Sequence, residues 1–397
     1  MTYHRKTKAV INLGHLQSNL DFLRKHNGEQ VFFCPMIKAN AYGHGDIEIA
    51  QFLQQAGVKN LGVGQVEEGI RLREAGIKTN LLCFSHFDTA GAQAMLEQDI
   101  SPVLLDREQL ELFTKCVQNS KMALPVNVHI KFDSGMNRVG FALESESDII
   151  SHFSKYPGVL RLRSVLTHLK KGEDAGEPDG VSIGQLQKFM KVIETLQAQK
   201  KLWGCDFEVH ALNSAALLQK RDLERNLVSS VDLGARPGLS IYGYSPLTGL
   251  STFLRPILSL QSHWVSIRFV KKGESVSYGG TWTAWQDSWV GVLPYGYADG
   301  YPRRLGNRSS VLVMGLKASV VGNVCMDYVM VDVTEAVSRK GFDLVRQAPV
   351  TLLGEDEFGN FMGAHELATY AGTATWEILT SIAERIPREF IKGPESA

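Results

Sequence analysis

"VFFCPMIKANAYGHG", residues 31–45, opens as an apolar run of strand character and closes as a turn, with Lys38 at the junction. An ammonium at the end of a buried strand is costly, so it must be neutralised, paired or carried to water. One reading is a lysine whose stem lies on apolar surface while its head reaches solvent. The other is a lysine held in Schiff-base linkage to a carbonyl group. The residues at the ends of the neighbouring strands decide between them.

Outward from this stretch, residues 30 to about 245 alternate strand-like and helix-like runs. The strand candidates are "VFFCPMI", "NLGVG", "TNLLCFS", "ISPVLL", "LPVNVHIKFD", "LRLRSVLTHL", "FEVHAL" and "VDLGA". Between them, "IEIAQFLQQAG", "EEGIRLREAG" and "IGQLQKFMKVIETLQAQ" repeat apolar residues at three- and four-residue steps, and Gly closes the first two. Eight such units in a row predict an α/β fold of the (β/α)8 TIM-barrel type over residues 10–246. Beyond residue 247 the texture turns to short β runs punctuated by Gly and Pro. This predicts a mostly β C-terminal domain over 247–397 that ends in a helical tail, with residues 1–9 joining it.

The bulk composition excludes several classes. Lys plus Arg equals Asp plus Glu at 42 each, so no global field draws in nucleic acid or an anionic membrane. The 5 cysteines are scattered, without CxxC or His/Cys spacing, so neither a disulfide framework nor a metal site is expected. Cys34, Cys83 and Cys325 read as small core residues. The N-terminus has basic residues but no apolar core of a signal peptide, and no run is long enough to span a bilayer. A cytoplasmic enzyme acting on a small molecule is the expectation.

In a barrel of this type the chemistry gathers at the C-terminal ends of the strands. Lys38 stands at the first, and Lys131 and Arg138 follow the fifth in "KFDSGMNRVG". His168 follows the sixth, Asn213 and Ser214 the seventh, Arg236 and Gly238 the eighth. Each alone has an ordinary explanation, as a loop charge or a core histidine. Together on one rim they point to a site. The last two loops commonly hold phosphate, Ser214 would open a helix with free N–H groups, and Gly238 permits close backbone approach. A phosphate site opposite a strand-end lysine is what pyridoxal 5'-phosphate requires.

"KANAYGHG" resembles the cofactor-lysine motif of alanine racemases, fold type III pyridoxal-phosphate enzymes. The resemblance continues in order through "KFDSGMNRVG", "NSA", "RPGLSIYG", "SYGGTW", "GYADGYPRR", "GNVCMDYVMVDVT" and "ERIPR". It implies that Lys38 carries the cofactor and that Tyr42, Ser214, Gly238 and Leu239 hold its phosphate. Arg236 would face the pyridine nitrogen, with His168 against it and Trp376 at the inner gate. Lys38 and Tyr278 would be the two bases, one on each face of the substrate. A tyrosine of ordinary pKa near 10 is a poor base, so a cation beside it is expected, with His168 the candidate. Arg138, the Met326 N–H and Asp327 would bind substrate, and Lys131 would be carbamylated. The resemblance further implies a head-to-tail homodimer with shared sites, making D-alanine for cell-wall peptidoglycan.

Two alternatives share parts of this pattern: a basic amino-acid decarboxylase and a non-catalytic pyridoxal-phosphate carrier. The first normally places an acid where Arg236 stands; the second lacks a β domain with a second base. The chain also departs from the family at the entrance. Glu173 and Asn323 replace a usual aspartate–arginine pair, Trp376 a tyrosine, and Ala374 a larger apolar residue. These changes predict relaxed exclusion of side chains larger than that of alanine, serine first.

Overall fold

The computed structural model describes residues 6–203, 206–227, 231–247 and 253–392, so the first five residues of the N-terminal segment and the last five of the tail lie outside it. Two compact units emerge. One comprises Leu16–Ala41 and Asp46–Arg255; the other joins the N-terminal segment to His15, Tyr42–Gly45 and the chain from Pro256 onward.

In the first unit, Asn60–Val63, Asn80–Cys83, Ile100–Leu104, Val126–Lys131, Leu160–Leu166, Glu208–Leu212 and Gly234–Ala235 pair in parallel in chain order. Residues 31–37 do not form a regular strand. Pro35 has no N–H to give a ladder, and residues 32–37 are joined by single bridges, Phe33 to Ala235 and Met36 to Gly62. Hydrogen bonds from Cys34 N to Ala235 O and from Ile37 N to Gly62 O still close the wall on both sides. The result is a TIM-type barrel. Phe32, Cys34, Leu82, Val103, Leu105 and Leu166 form an apolar cluster within it, each large side chain contributing roughly 1.5–3 kcal/mol by burial.

The helices follow the apolar periodicity: Asp46–Gln55 buries Ile49, Ala50 and Leu53, and Val181–Gln197 buries Ile183, Leu186, Phe189 and Ile193. Gly57 and Gly76, just past two helix ends, take the left-handed φ of +73° and +84° that stops a helix.

The second unit is mostly β. Its main sheet runs Leu316–Ser319, Ser310–Val313, Val350–Glu355, Leu258–Ser262, Lys8–Asn12, Arg388–Ile391. Lys8–Asn12 is thus an inner strand, antiparallel to Leu258–Ser262 and parallel to Arg388–Ile391. Three further strands, Ser266–Val270, Ser288–Leu293 and Val329–Asp332, make a second sheet. The tail holds two helices, Ala364–Ala371 and Thr375–Thr380.

Lys38 opens an unusual turn. Ala39, Asn40, Ala41 and Tyr42 all have φ between 51° and 53°, followed by Gly43 at 82°. Left-handed backbone costs L-residues about 1–2 kcal/mol each, so this turn persists only because its surroundings hold it. Asn40 Oδ1 accepts the Asp46 N–H at 2.9 Å, and the Gly43 carbonyl accepts Nη2 of Arg388 at 2.9 Å.

Gly43 is where the turn tolerates least. A Cβ there would lie 2.1 Å from the Leu379 backbone oxygen, whereas a Cβ on Gly57 meets nothing within 4 Å. Gly57→Ala should therefore cost about 1–2 kcal/mol, the left-handed penalty alone. Gly43→Ala should cost about 1–3 kcal/mol more from overpacking. Urea unfolding midpoints of the two variants check this. Equal shifts would mean that the Leu379 carbonyl yields freely.

Candidate active site

Because the barrel strands are parallel, the residues just after them share one rim. Lys131 ends Val126–Lys131, His168 follows Leu160–Leu166, Asn213 and Ser214 follow Glu208–Leu212, and Arg236 follows Gly234–Ala235. Lys38, at the end of the bridging segment, stands on the same rim. The barrel unit thus holds Lys38, Lys131, Arg138, His168, Ser214, Arg236, Gly238 and Leu239. Tyr42, Tyr278, Met326, Asp327 and Trp376 fall in the β unit.

Arg236 is only 5% exposed and, among the described residues, has no carboxylate partner. Its Nη1 donates to His210 Nδ1 at 2.5 Å and His210 O at 2.9 Å; Nη2 donates to Thr167 O at 2.6 Å and His168 Nδ1 at 3.5 Å. A guanidinium has five N–H bonds. Those four acceptors use both Nη groups, so Nε–H is left for a ligand. Burial pulls Arg236 down to about 10, still cationic at neutral pH.

His168 is driven down to about 3, by burial first and then by Arg236, Arg138, Lys131 and Lys38. It is neutral, and so not the cation expected beside a tyrosine. With Nδ1 accepting from Arg236, its proton sits on Nε2, and it offers one hydrogen bond there.

Ser214 begins a short helix, Ser214–Leu218, that Asn213 caps by accepting the Ala216 N–H at 3.0 Å. Its own hydroxyl oxygen accepts from Gly238 N at 3.1 Å and from Ser240 N and Oγ at 3.2 and 3.1 Å. Ser214, Gly238 and Ser240 therefore form a compact cluster of N–H and O–H donors, suited to a phosphate.

Lys38 reaches solvent, yet burial of its surroundings lowers its pKa, Arg138 lowers it further, and Glu68 opposes both. Glu68 went unnoticed in the sequence, although its place three residues after a helix cap, in "GQVEEG", is the signature of a capping carboxylate. One oxygen accepts the Ala39 N–H at 2.6 Å; the other accepts Gly64 N at 2.7 Å and Gln65 N at 3.1 Å. The same carboxylate thus caps Val66–Glu74 and fixes the first peptide of the left-handed turn. Lys131 donates to the Val139 carbonyl, and burial brings it down to about 8.

In the β unit, Tyr278 sits at the tip of a hairpin between Ser275–Val276 and Trp282–Thr283, 70% exposed. Ser277, at φ +67°, and Gly279, at +74°, shape that tip. Asn323 Nδ2 donates to the Tyr278 carbonyl at 2.7 Å, and Ser277 Oγ donates to Asn323 O at 2.6 Å. Asn323 thus braces the tyrosine turn rather than standing as a loose polar group. Met326 is exposed, and Asp327 gives its carboxylate to Arg385 at 2.9 Å, so it holds the Met326 turn in place. Burial raises the Tyr42 hydroxyl to about 12, which keeps it a donor. Trp376 is half exposed on Thr375–Thr380.

A rim amine, a buried cation with one N–H to spare and a separate donor cluster match the aldehyde, ring nitrogen and phosphate of pyridoxal 5'-phosphate. The residues fit that group.

The chain is similar to known proteins over nearly its whole length. Residues 11–246 match the family model for the alanine racemase N-terminal domain and 257–390 that for the C-terminal domain. An alanine racemase of Sorangium cellulosum is 35% identical, aligned over 98% of this chain and 100% of its own. The solved alanine racemase of Clostridium difficile superposes with a TM-score of 0.85 at 29% identity, covering 99% of this chain and 97% of that one. That of Bartonella henselae, described with covalently bound pyridoxal phosphate, gives 0.82 at 26% identity over 97% and 99%.

The Glu68 contact yields a signed prediction. Its charge holds the Lys38 pKa up against burial and Arg138, so Glu68→Gln should lower that pKa further. The pH midpoint for acetylation of Lys38 in ligand-free protein, followed by mass spectrometry, should move down. An unchanged or higher midpoint would remove Glu68 from the electrostatics of the site.

Proposed function

The chain belongs to the alanine racemase family, and from that premise we propose that it interconverts L- and D-alanine with two bases, Lys38 and Tyr278. The observation that carries this reading is the buried, carboxylate-free Arg236 with one unused N–H. A decarboxylase of this architecture normally places an acid there, and a carrier generally lacks a β domain with a second base.

Lys38 would hold pyridoxal 5'-phosphate, Arg236 its ring nitrogen, and Ser214, Gly238, Leu239 and Tyr42 its phosphate. The cofactor, when bound, supplies an electron-accepting ring that acidifies the α-C–H of an attached amino acid. Arg236 cannot give up its proton at neutral pH, so it donates a hydrogen bond without protonating the ring nitrogen, which keeps electron withdrawal moderate. Lys38 moves the α-proton on one face. Tyr278 moves it on the other, taking the proton of the L form. In a pair of copies, a neutral His168 would offer its Nε2–H to the phenolic oxygen of the second copy's Tyr278 and so orient it. Arg138 and the Met326 N–H bind the substrate carboxylate.

Tyr278 and Met326 are 70% and 54% exposed, as is the neighbouring Trp285 at 69%. A head-to-tail homodimer, in which a second copy covers them, accounts for that exposure. No helix among the described residues is long and apolar enough to cross a membrane. A cytoplasmic enzyme supplying D-alanine for peptidoglycan fits the reading. The smaller Ala374 and the Asn323 brace support relaxed selection at the entrance, with serine a second substrate.

Tyr278→Phe tests the reaction. A missing general base costs about 10²–10⁴-fold, so L-to-D turnover should fall by that much while solvent deuterium exchange into D-alanine persists. Equal turnover of both enantiomers at wild-type rate would refute the two-base reading. In the same assays the preference for alanine over serine should be within about 200-fold, and wider in Trp376→Tyr with Ala374→Ile.

Lys131 carries a second test. Carbamate formation needs the neutral amine, and burial brings this lysine to about 8. Unmodified, it repels Arg138; as a carbamate it would attract and fix it. A carbamate carbon signal from labelled bicarbonate should grow as pH rises through about 8 and vanish in Lys131→Ala. A signal that survives that substitution belongs elsewhere.

A further inference from the structure

Beneath the rim, polar groups that the proposed reaction does not use form one line. His129 Nδ1 lies 2.6 Å from Ser164 Oγ, Ser164 Oγ lies 2.8 Å from His210 Nε2, and His210 Nδ1 lies 2.5 Å from Arg236 Nη1. All four residues are at most 5% exposed. Strand register puts them there: His129 pairs with Ser164 across two adjacent strands, and His210 lies on the next, opposite Gly234.

The protons along this line can be assigned. A guanidinium only donates, so His210 Nδ1 accepts from Arg236. His210 is neutral, held far down by burial and then by Arg236, so its single proton is on Nε2 and is donated to Ser164 Oγ. The serine hydroxyl then donates its own proton to His129 Nδ1. His129, held at about 3 chiefly by burial, is neutral and carries its proton on Nε2. Each link leaves the next one choice.

We propose that His129–Ser164–His210 is a proton-locked strut that keeps His210 an acceptor and so fixes the guanidinium of Arg236, leaving its Nε–H for the cofactor ring nitrogen. These three are positioning residues, and their role rests on the proposed function of Arg236. Without the serine hydroxyl, His210 Nε2–H loses its buried acceptor and the ring is free to take the other tautomer. Two donors would then face each other, and the guanidinium would turn away.

The test is nitrogen-15 spectroscopy of histidine-labelled holoenzyme, with signals assigned by His129→Gln. Both rings should be protonated on Nε2 and bare on Nδ1. In Ser164→Ala the His210 signals should leave that pattern, and pyridoxal phosphate should dissociate about tenfold faster, as outer-shell partners of other bound groups typically show. Ser164→Thr, which keeps the hydroxyl, should restore both. Should Ser164→Ala not fold, Ser164→Cys, a weak donor of similar size, takes its place with the same expectation. A wild-type His210 protonated on Nδ1, or a Ser164 variant lacking the hydroxyl with unchanged signals and release rate, overturns the strut while the cofactor reading stands. A wild-type protein that binds no pyridoxal phosphate overturns the proposed function, and the strut's role with it, whatever the tautomers.

Discussion

A cation that cannot discharge, sealed in the barrel with no anion beside it among the described residues, sets the state of the polar groups around it. A buried guanidinium lacking a carboxylate must recover its lost hydration from neutral acceptors. Arg236 does so through two carbonyls and two imidazole nitrogens. Each imidazole must then stay unprotonated where it faces the cation, and burial together with Arg236 enforces this for His168 and His210. A carboxylate in their place would neutralise the charge and alter the role proposed for the cation. The interior is therefore arranged to tolerate a charge, not to cancel it.

The second constraint is the left-handed turn after Lys38. Four successive L-residues in that region accumulate several kcal/mol of local strain, about 1–2 kcal/mol each. The turn is answered by contacts on both sides: a carboxylate on the Ala39 N–H, a side-chain amide bridging to Asp46 N, and Arg388 on the Gly43 carbonyl. Such expense beside the lysine proposed to carry the cofactor preorganises it, because a relaxed turn would leave the amine free to wander.

Much of the fold was legible because barrel strands and helices announce themselves by period and by terminal glycines. Lys38, Ser214 and Arg236 were legible as polar residues at the ends of apolar runs. What escaped shares a different physics. His129 and Ser164 lie within strands, where a polar residue gives no periodic signal and acquires a partner only when register sets neighbouring strands level. Glu68 was visible as a helix cap, but its hold on a peptide 29 residues earlier is a tertiary fact. The segment at 31–37 reads as a strand from its apolar content, yet Pro35 reduces it to isolated bridges. His168 was misjudged as a cation because sequence does not reveal how many positive groups surround it.

The two sets of candidate site residues are held by different means, and this bears on how the two proposed bases would work on opposite faces. The barrel set is fixed by buried hydrogen bonds around Arg236 and by the carboxylate of Glu68. The β set is fixed by local turns: the Tyr278 turn depends on its flanking residues Ser277 and Gly279 at positive φ and on hydrogen bonds with Asn323, while the Met326 turn hangs on Asp327 and Arg385. Tyr278 and Met326 themselves stay exposed. Rigid presentation of uncovered side chains is of little use to one chain alone, since solvent competes for every hydrogen bond they could make. In the proposed head-to-tail pair, the same rigidity lets each copy deliver a preset tyrosine to the other's lysine. Water is then excluded only where the two meet, so proton transfer on both faces becomes a property of the dimer.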